Sequence, residues 1–150
     1  VRRAYIASLY RARFREYIRP AVEAALDPAY PDAKRRNMKA AIYLAEHLHE
    51  APVHLFVAGW TRRGAPQSQA LFPAIQNVLL ACRAVGLGAS LTTAHRADGE
   101  EIDRYLGLDP VKTPSIALIP IGWPKGNFGR PTRRSIDTCF FVDGVPEPSD

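Results

Sequence analysis

The sequence predicts an α+β fold in which helices pack around a small sheet. Three observations carry that expectation. Segments succeed one another as helix, helix, strand, helix, strand, helix, strand, strand, without the regular alternation that builds a parallel βαβ sheet. The run Ser115 to Ile121 is apolar and β-prone, bounded by Pro114 and Gly122, and reads as the strongest strand. The run Phe72 to Val85 is an almost wholly apolar helix. A helix apolar on every side must be buried on every side, in a core or an oligomer interface.

Each element has its own justification. From Arg3 to Ile18, Ile6, Tyr10, Phe14 and Tyr17 recur at helical spacing while Arg11, Arg15 and Glu16 fall on other faces. Pro20 ends or kinks that helix, and Ala21 to Leu26 adds a further turn or two before the proline-containing loop 28–32. A second helix runs from Ala33 to Glu50, with Met38, Ala41, Ile42, Ala45 and Leu48 on one stripe and Pro52 marking its end. Val53 to Gly59 is short, β-prone and mostly apolar, as an internal strand would be. Thr61 to Gln67 reads as a surface loop, and the long apolar helix follows from Ser68 to Val85, with Pro73 tolerated only in its early turns or at a kink. Gly86-Leu87-Gly88 stops that helix, and Ala89 to Thr93 is extended. Asp98 is placed to cap a short helix ending at Leu106. Lys125 to Pro131 is a basic loop, Thr138 to Val142 a last strand, and Pro146 to Asp150 a tail.

The chain has 150 residues, with 47% hydrophobic and 23% charged, which fits one domain spanning residues 1–150 with a real core. No apolar run approaches a membrane span, and no start resembles a signal peptide, so we expect a cytoplasmic protein with no membrane partner. Cys82 and Cys139 form no disulfide framework and read as reduced thiols. The net charge of +5 raises the question of nucleic acid. The basic residues are dispersed among acids and alanines, with no arginine-rich run, zinc finger or aromatic RNA-binding signature, so a solvated basic face and no nucleic-acid partner is the expectation.

The usual chemistries find little purchase. His47 and His49 are two apart and point to different faces of a helix, so no metal site is expected. There is no nucleophile elbow, Cys82 lies inside the apolar helix, Glu100 and Glu101 are adjacent surface acids, and neither a dinucleotide fingerprint nor a Walker loop is present. No catalytic side chain is therefore singled out. What remains is backbone and arginine: the glycine-rich exit at Gly86 to Gly88, the segment Leu91-Thr92-Thr93-Ala94 with main-chain amides for a flat heterocycle, and Arg130, Arg133 and Arg134 with guanidinium groups suited to phosphate.

Those motifs, taken in order, resemble the C-terminal part of the nitroreductase family of flavin enzymes. The run Ala74 to Gly88, then Leu91-Thr-Thr-Ala-His95, then Ile119-Pro-Ile-Gly-Trp-Pro124 and Arg133-Arg134 carry the likeness, with Ala51 to Val57 matching that family's core strand after a long helix. The resemblance implies an α+β, nitroreductase-like dimer with a small, mostly antiparallel sheet and FMN bound at the subunit interface. It implies that Leu91, Thr92, Thr93 and Ala94 line one edge of the flavin ring, with amides around Thr93 and Ala94 facing it, and that Arg133 or Arg134 meets the FMN phosphate. It further implies that Gln76 and Asn77 satisfy buried backbone groups near the interface. The implied activity is that of an oxidoreductase passing electrons from NAD(P)H through FMN to a nitroaromatic, quinone or similar small-molecule acceptor; the alternative is a flavin-binding homodimer without turnover. The family's arginine-and-serine motif and its proline-serine-asparagine segment are absent from the sequence, and Val1 stands without a methionine before it, so a longer gene product is expected.

Overall fold

Eight residues, Ser115–Gly122 (β5), run through the middle of the molecule, and the first six of them are buried. The computed structural model describes residues 2–62, 65–66, 68–129, 133 and 135–144. Ahead of β5 come the helix Arg2–Arg13 (α1), a π-helical turn Phe14–Ile18, the helices Arg19–Ala25 (α2) and Asp32–His47 (α3), and the strand Val53–Ala58 (β1). The short pair Thr61–Arg62 (β2) and Ala65–Pro66 (β3), the helix Ser68–Ala84 (α4), the strand Gly88–Ala89 (β4) and the helix Gly99–Leu106 (α5) complete the series. The fold is α+β, with an antiparallel three-stranded sheet in the order β1-β5-β4 among the described residues.

Burial follows from the alternation of β5. Leu118 points to one face, where Ala7, Tyr10 and Phe14 of the first helical stretch meet Ala45 of α3 and Leu48 just beyond it. Ala117 and Ile119 point to the other, against Ile75 of α4, with Leu55 and Val57 of β1 beside them. Asp103 of α5 fixes where the strand starts: buried, it accepts the Ser115 N–H with both carboxylate oxygens, at 3.1 and 3.2 Å. Arg3 ties the start of α1 to β1 by donating to the carbonyls of Ala51 and Pro52.

Several expectations need correction. Among the described residues β1 is an edge of this sheet, not an internal strand, because β5 alone of them pairs with it. The segment expected as a plain loop carries the β2–β3 pair. The last strand does not form: Ile136–Thr138 is a single 3₁₀ turn, and Phe140 and Val142 are exposed with no neighbouring strand to pair with among the described residues. Tyr17 leaves the apolar stripe and is exposed, since the wider π turn brings Ile18 rather than Tyr17 onto the core. Pro20 begins α2 just after that turn instead of ending a helix. The capping side chain of Asp98 and the tail 146–150 lie outside the described residues.

Within this single chain the long apolar helix is buried on one side. Ile75 of α4 packs against the sheet and Cys82 is buried, whereas Phe72 and Leu80 are exposed, as are Gln76 and Asn77. Its end is as the glycines dictate. Leu87 N–H bonds to the Cys82 carbonyl at 2.8 Å and Gly86 N–H to that of Arg83 at 3.2 Å, with Gly86 at φ +81. A Cβ there would have room, its nearest neighbour being Trp123 at 3.6 Å, so only the backbone resists. Gly86→Ala should therefore lower stability by about 1 kcal/mol, measured by urea unfolding; a neutral result would remove the left-handed cap.

Candidate functional site

A proline interrupts the ladder beside β4. Leu118 exchanges both backbone hydrogen bonds with Thr92, N to O at 2.9 and 3.0 Å, so alternate residues of β5 aim their backbone groups the same way. Pro120 is one of these, and it has no N–H. Gly88 pairs with Gly122 and Ala89 with Ile121, and then the ladder lapses until Thr92. The register is kept across this gap, with Ser90 opposite Pro120 and Leu91 opposite Ile119, but Ser90 makes no ladder hydrogen bond. Thr93 then opens the 3₁₀ turn Ala94–Asp98.

The segment from Ser90 to Ala94 forms one wall of a hollow of about 680 Å³. Leu91, Thr92, Thr93 and Ala94, the four site residues expected from the sequence, all line it. Facing them are Tyr10, Phe14 and Ile18 from α1 and its π turn, and Asn37, Met38 and Leu44 from α3. None of the described lining residues carries a charge. Arg133 is exposed and lies outside this lining, and Arg134 lies outside the described residues.

Three polar details give the wall its character. Tyr10 Oη and Thr92 Oγ1 are 2.8 Å apart. Thr92 Oγ1 also accepts the Ala94 N–H at 3.3 Å, so of the two amides expected to face a ligand, that of Ala94 is already engaged. The Thr93 N–H meets no acceptor among the described residues. Burial raises the pKa of Tyr10, outweighing the opposing Thr92 hydrogen bond, which keeps the phenol neutral. An uncharged slot with donors along one edge suits a flat heterocycle bearing acceptor atoms.

Sequence reasoning missed Tyr10, Phe14 and Asn37 as wall residues. Tyr10 carried one usable signal: a tyrosine on a buried helical stripe must find a partner for its hydroxyl. Next to Ala94, His95 is fully buried, its ring edge-on to Phe56 with centroids 5.6 Å apart, and neither ring nitrogen has a hydrogen-bond partner in the described structure. Burial, helped by the charge of Arg96 and opposed by the Ser115 backbone, pushes its pKa down to about 4.

A second hollow, of about 580 Å³, lies against the first, since Leu44 and Ser90 belong to the walls of both. Tyr43 stacks on His47 there at 4.2 Å, and Glu50 bonds His47 at 2.7 Å and lies 3.5 Å from Lys125. Among the described residues no group of three or more metal-ligating side chains is found, and no helix is long and apolar enough to cross a membrane.

Comparison with known proteins bears on the whole arrangement. The model of the nitroreductase family matches residues 3–123. A BluB-like flavoprotein from Clostridium difficile 630 is similar in structure, with a TM-score of 0.63 at 20% identity over 95% of this chain and 75% of that one. A point mutant of NfnB, an FMN and NADPH-dependent nitroreductase from Sphigopyxis sp. strain HMH, gives a TM-score of 0.59 at 19% identity over 96% of this chain and 76% of its own. No match was found among curated proteins. At such identities the structural likeness speaks for the fold, but the family model spans most of the sequence: the chain belongs to the nitroreductase family.

Proposed function

We propose that this protein is an FMN-dependent oxidoreductase that takes electrons from NAD(P)H and passes them to a nitroaromatic, quinone or similar electron-poor acceptor. Membership in the nitroreductase family supports a flavin-dependent oxidoreductase. The observation that carries the reading to this chain's own residues is the uncharged hollow walled by Leu91, Thr92, Thr93 and Ala94. Its chemistry fits the ring of FMN, which is flat, largely apolar and edged with acceptors; it does not fit the phosphate, for which no lining cation is at hand. On this reading Arg133 or Arg134 would meet the phosphate across a homodimer interface.

Bound FMN would supply the hydride acceptance and electron delivery that the side chains here do not. The chain's share is position and environment. The Thr93 N–H offers a donor at the ring's edge, and Phe14, Ile18, Met38 and Leu44 exclude water, which strengthens each polar contact inside. The bare side of α4, with Phe72 and Leu80 exposed, supports a second copy as partner. On the same reading residues 1–150 act as one domain, in the cytoplasm, where the free thiols of Cys82 and Cys139 stay reduced.

The test is direct. Protein mixed with FMN and freed of excess should be yellow, lose that colour with NADPH in the absence of oxygen, and regain it when a quinone or nitroaromatic is added. Failure to retain any flavin would sink the proposal. Retained flavin that neither NADPH nor NADH bleaches would leave the binding protein without turnover.

A further inference from the structure

One wall of the uncharged hollow holds a hydroxyl pair whose hydrogens do not all find partners. Tyr10 Oη and Thr92 Oγ1 are 2.8 Å apart, and either can donate. Thr92 Oγ1 accepts in addition from the Ala94 N–H at 3.3 Å. Two hydroxyls bring two O–H hydrogens. One is used between them; the other has no acceptor among the described residues. Tyr10 is only 2% exposed, so solvent scarcely reaches its end of the pair. A buried donor left without an acceptor is unfavourable, and a ligand that supplies one relieves it.

The pair is also held rigidly. Thr92 is bonded both ways to Leu118 through its backbone. The Tyr10 ring packs nearly parallel to Phe14, centroids 6.2 Å apart, at the start of the π turn. A donor fixed from both ends needs little ordering when a ligand arrives.

We propose that the Tyr10–Thr92 hydroxyl pair is a hydrogen-bond donor site that recognises an acceptor atom, a carbonyl oxygen or a ring nitrogen, on the flat heterocycle occupying the hollow. This rests on the flavin reading above and names the protein group that meets the ring. It assigns to two side chains the role expected of the Ala94 amide, which is spent on Thr92. Tyr10, absent from the sequence-derived site, becomes a binding residue, and Thr92 acts through its side chain rather than its backbone.

The experiment titrates FMN and lumiflavin, which has the ring but no phosphate, into the wild type and into Tyr10→Phe, Thr92→Val and Thr92→Ser. Affinity, the visible absorption band and the reduction potential of the bound flavin are read together, and a thermal melt checks folding of each variant. Tyr10→Phe and Thr92→Val should each weaken lumiflavin binding about tenfold and shift both band and potential, while Thr92→Ser restores wild-type values. Wild-type affinity, band and potential in Tyr10→Phe and Thr92→Val would overturn the inference and leave the flavin reading standing. A folded Thr92→Ser that behaves like Thr92→Val would overturn it too, since the hydroxyl would not be what matters. A wild type that binds neither compound would overturn both.

Discussion

Leu118→Ala should lower the unfolding free energy by about 3–5 kcal/mol, roughly a fifth or more of what a domain of this kind has to lose. Leu118 is fully buried at the centre of β5. It faces Phe56 of β1 on one side, forms the bridge to Thr92 on the other, and packs among Ala7, Tyr10 and Phe14. Truncation leaves a cavity between the sheet and two helical stretches, neither of which can close it without moving Thr92. The midpoint in urea measures the loss, and in a thermal scan it should appear as a fall of about 10 °C. Because the Leu118 side chain packs with Tyr10 and Phe14, which line the hollow, binding there should suffer at temperatures well below the new midpoint. A loss under about 1 kcal/mol would mean that the core does not sit on this face of β5.

Acid should unfold the protein through His95. Its folded-state pKa, about 4, lies below the ordinary histidine value of 6.5, so the unfolded chain binds the proton more readily. Stability from this group is complete above about pH 6.5, declines as the pH falls below that, and has fully gone by about pH 4. The span corresponds to roughly 3 kcal/mol. The structure gives the reason: a protonated ring would be buried beside Phe56 and repelled by Arg96, and the Ser115 backbone offsets this only in part. His95→Phe keeps an aromatic ring in the site and removes the titration. Urea unfolding at pH 7.5 and pH 4.5 should show the wild type losing more stability between the two than the variant, by most of that amount. Parallel behaviour of the two proteins would show that His95 is not what senses the acid.

Much of the fold can be read from the sequence where local signals agree with burial. β5 is legible because its apolar run is bracketed by Pro114 and Gly122, and the end of α4 because Gly86 permits what no other residue does cheaply. Leu91 to Ala94 stand out because a glycine-rich exit precedes them, and they do line a hollow together. What escapes is set by partners distant in sequence. The Tyr10–Thr92 pair spans 82 positions, and Asp103 finds Ser115 across a turn that no spacing rule marks. The π turn is marked in the sequence by Pro20 alone, which signals a kink or an end but not a wider coil; that coil diverts Tyr17 outward and Ile18 inward. Thr138 to Val142 has strand-like side chains but nothing to pair with among the described residues, and preference alone does not make a strand.

Pro120 has a consequence beyond the gap it leaves in the ladder. Opposite it, Ser90 goes without a ladder bond and stands with Leu44 in the walls of both hollows. A shorter residue at position 44 should enlarge both hollows, and a bulkier one at 90 should narrow both together. Substitutions at these two positions should therefore change the size of ligand that either hollow admits.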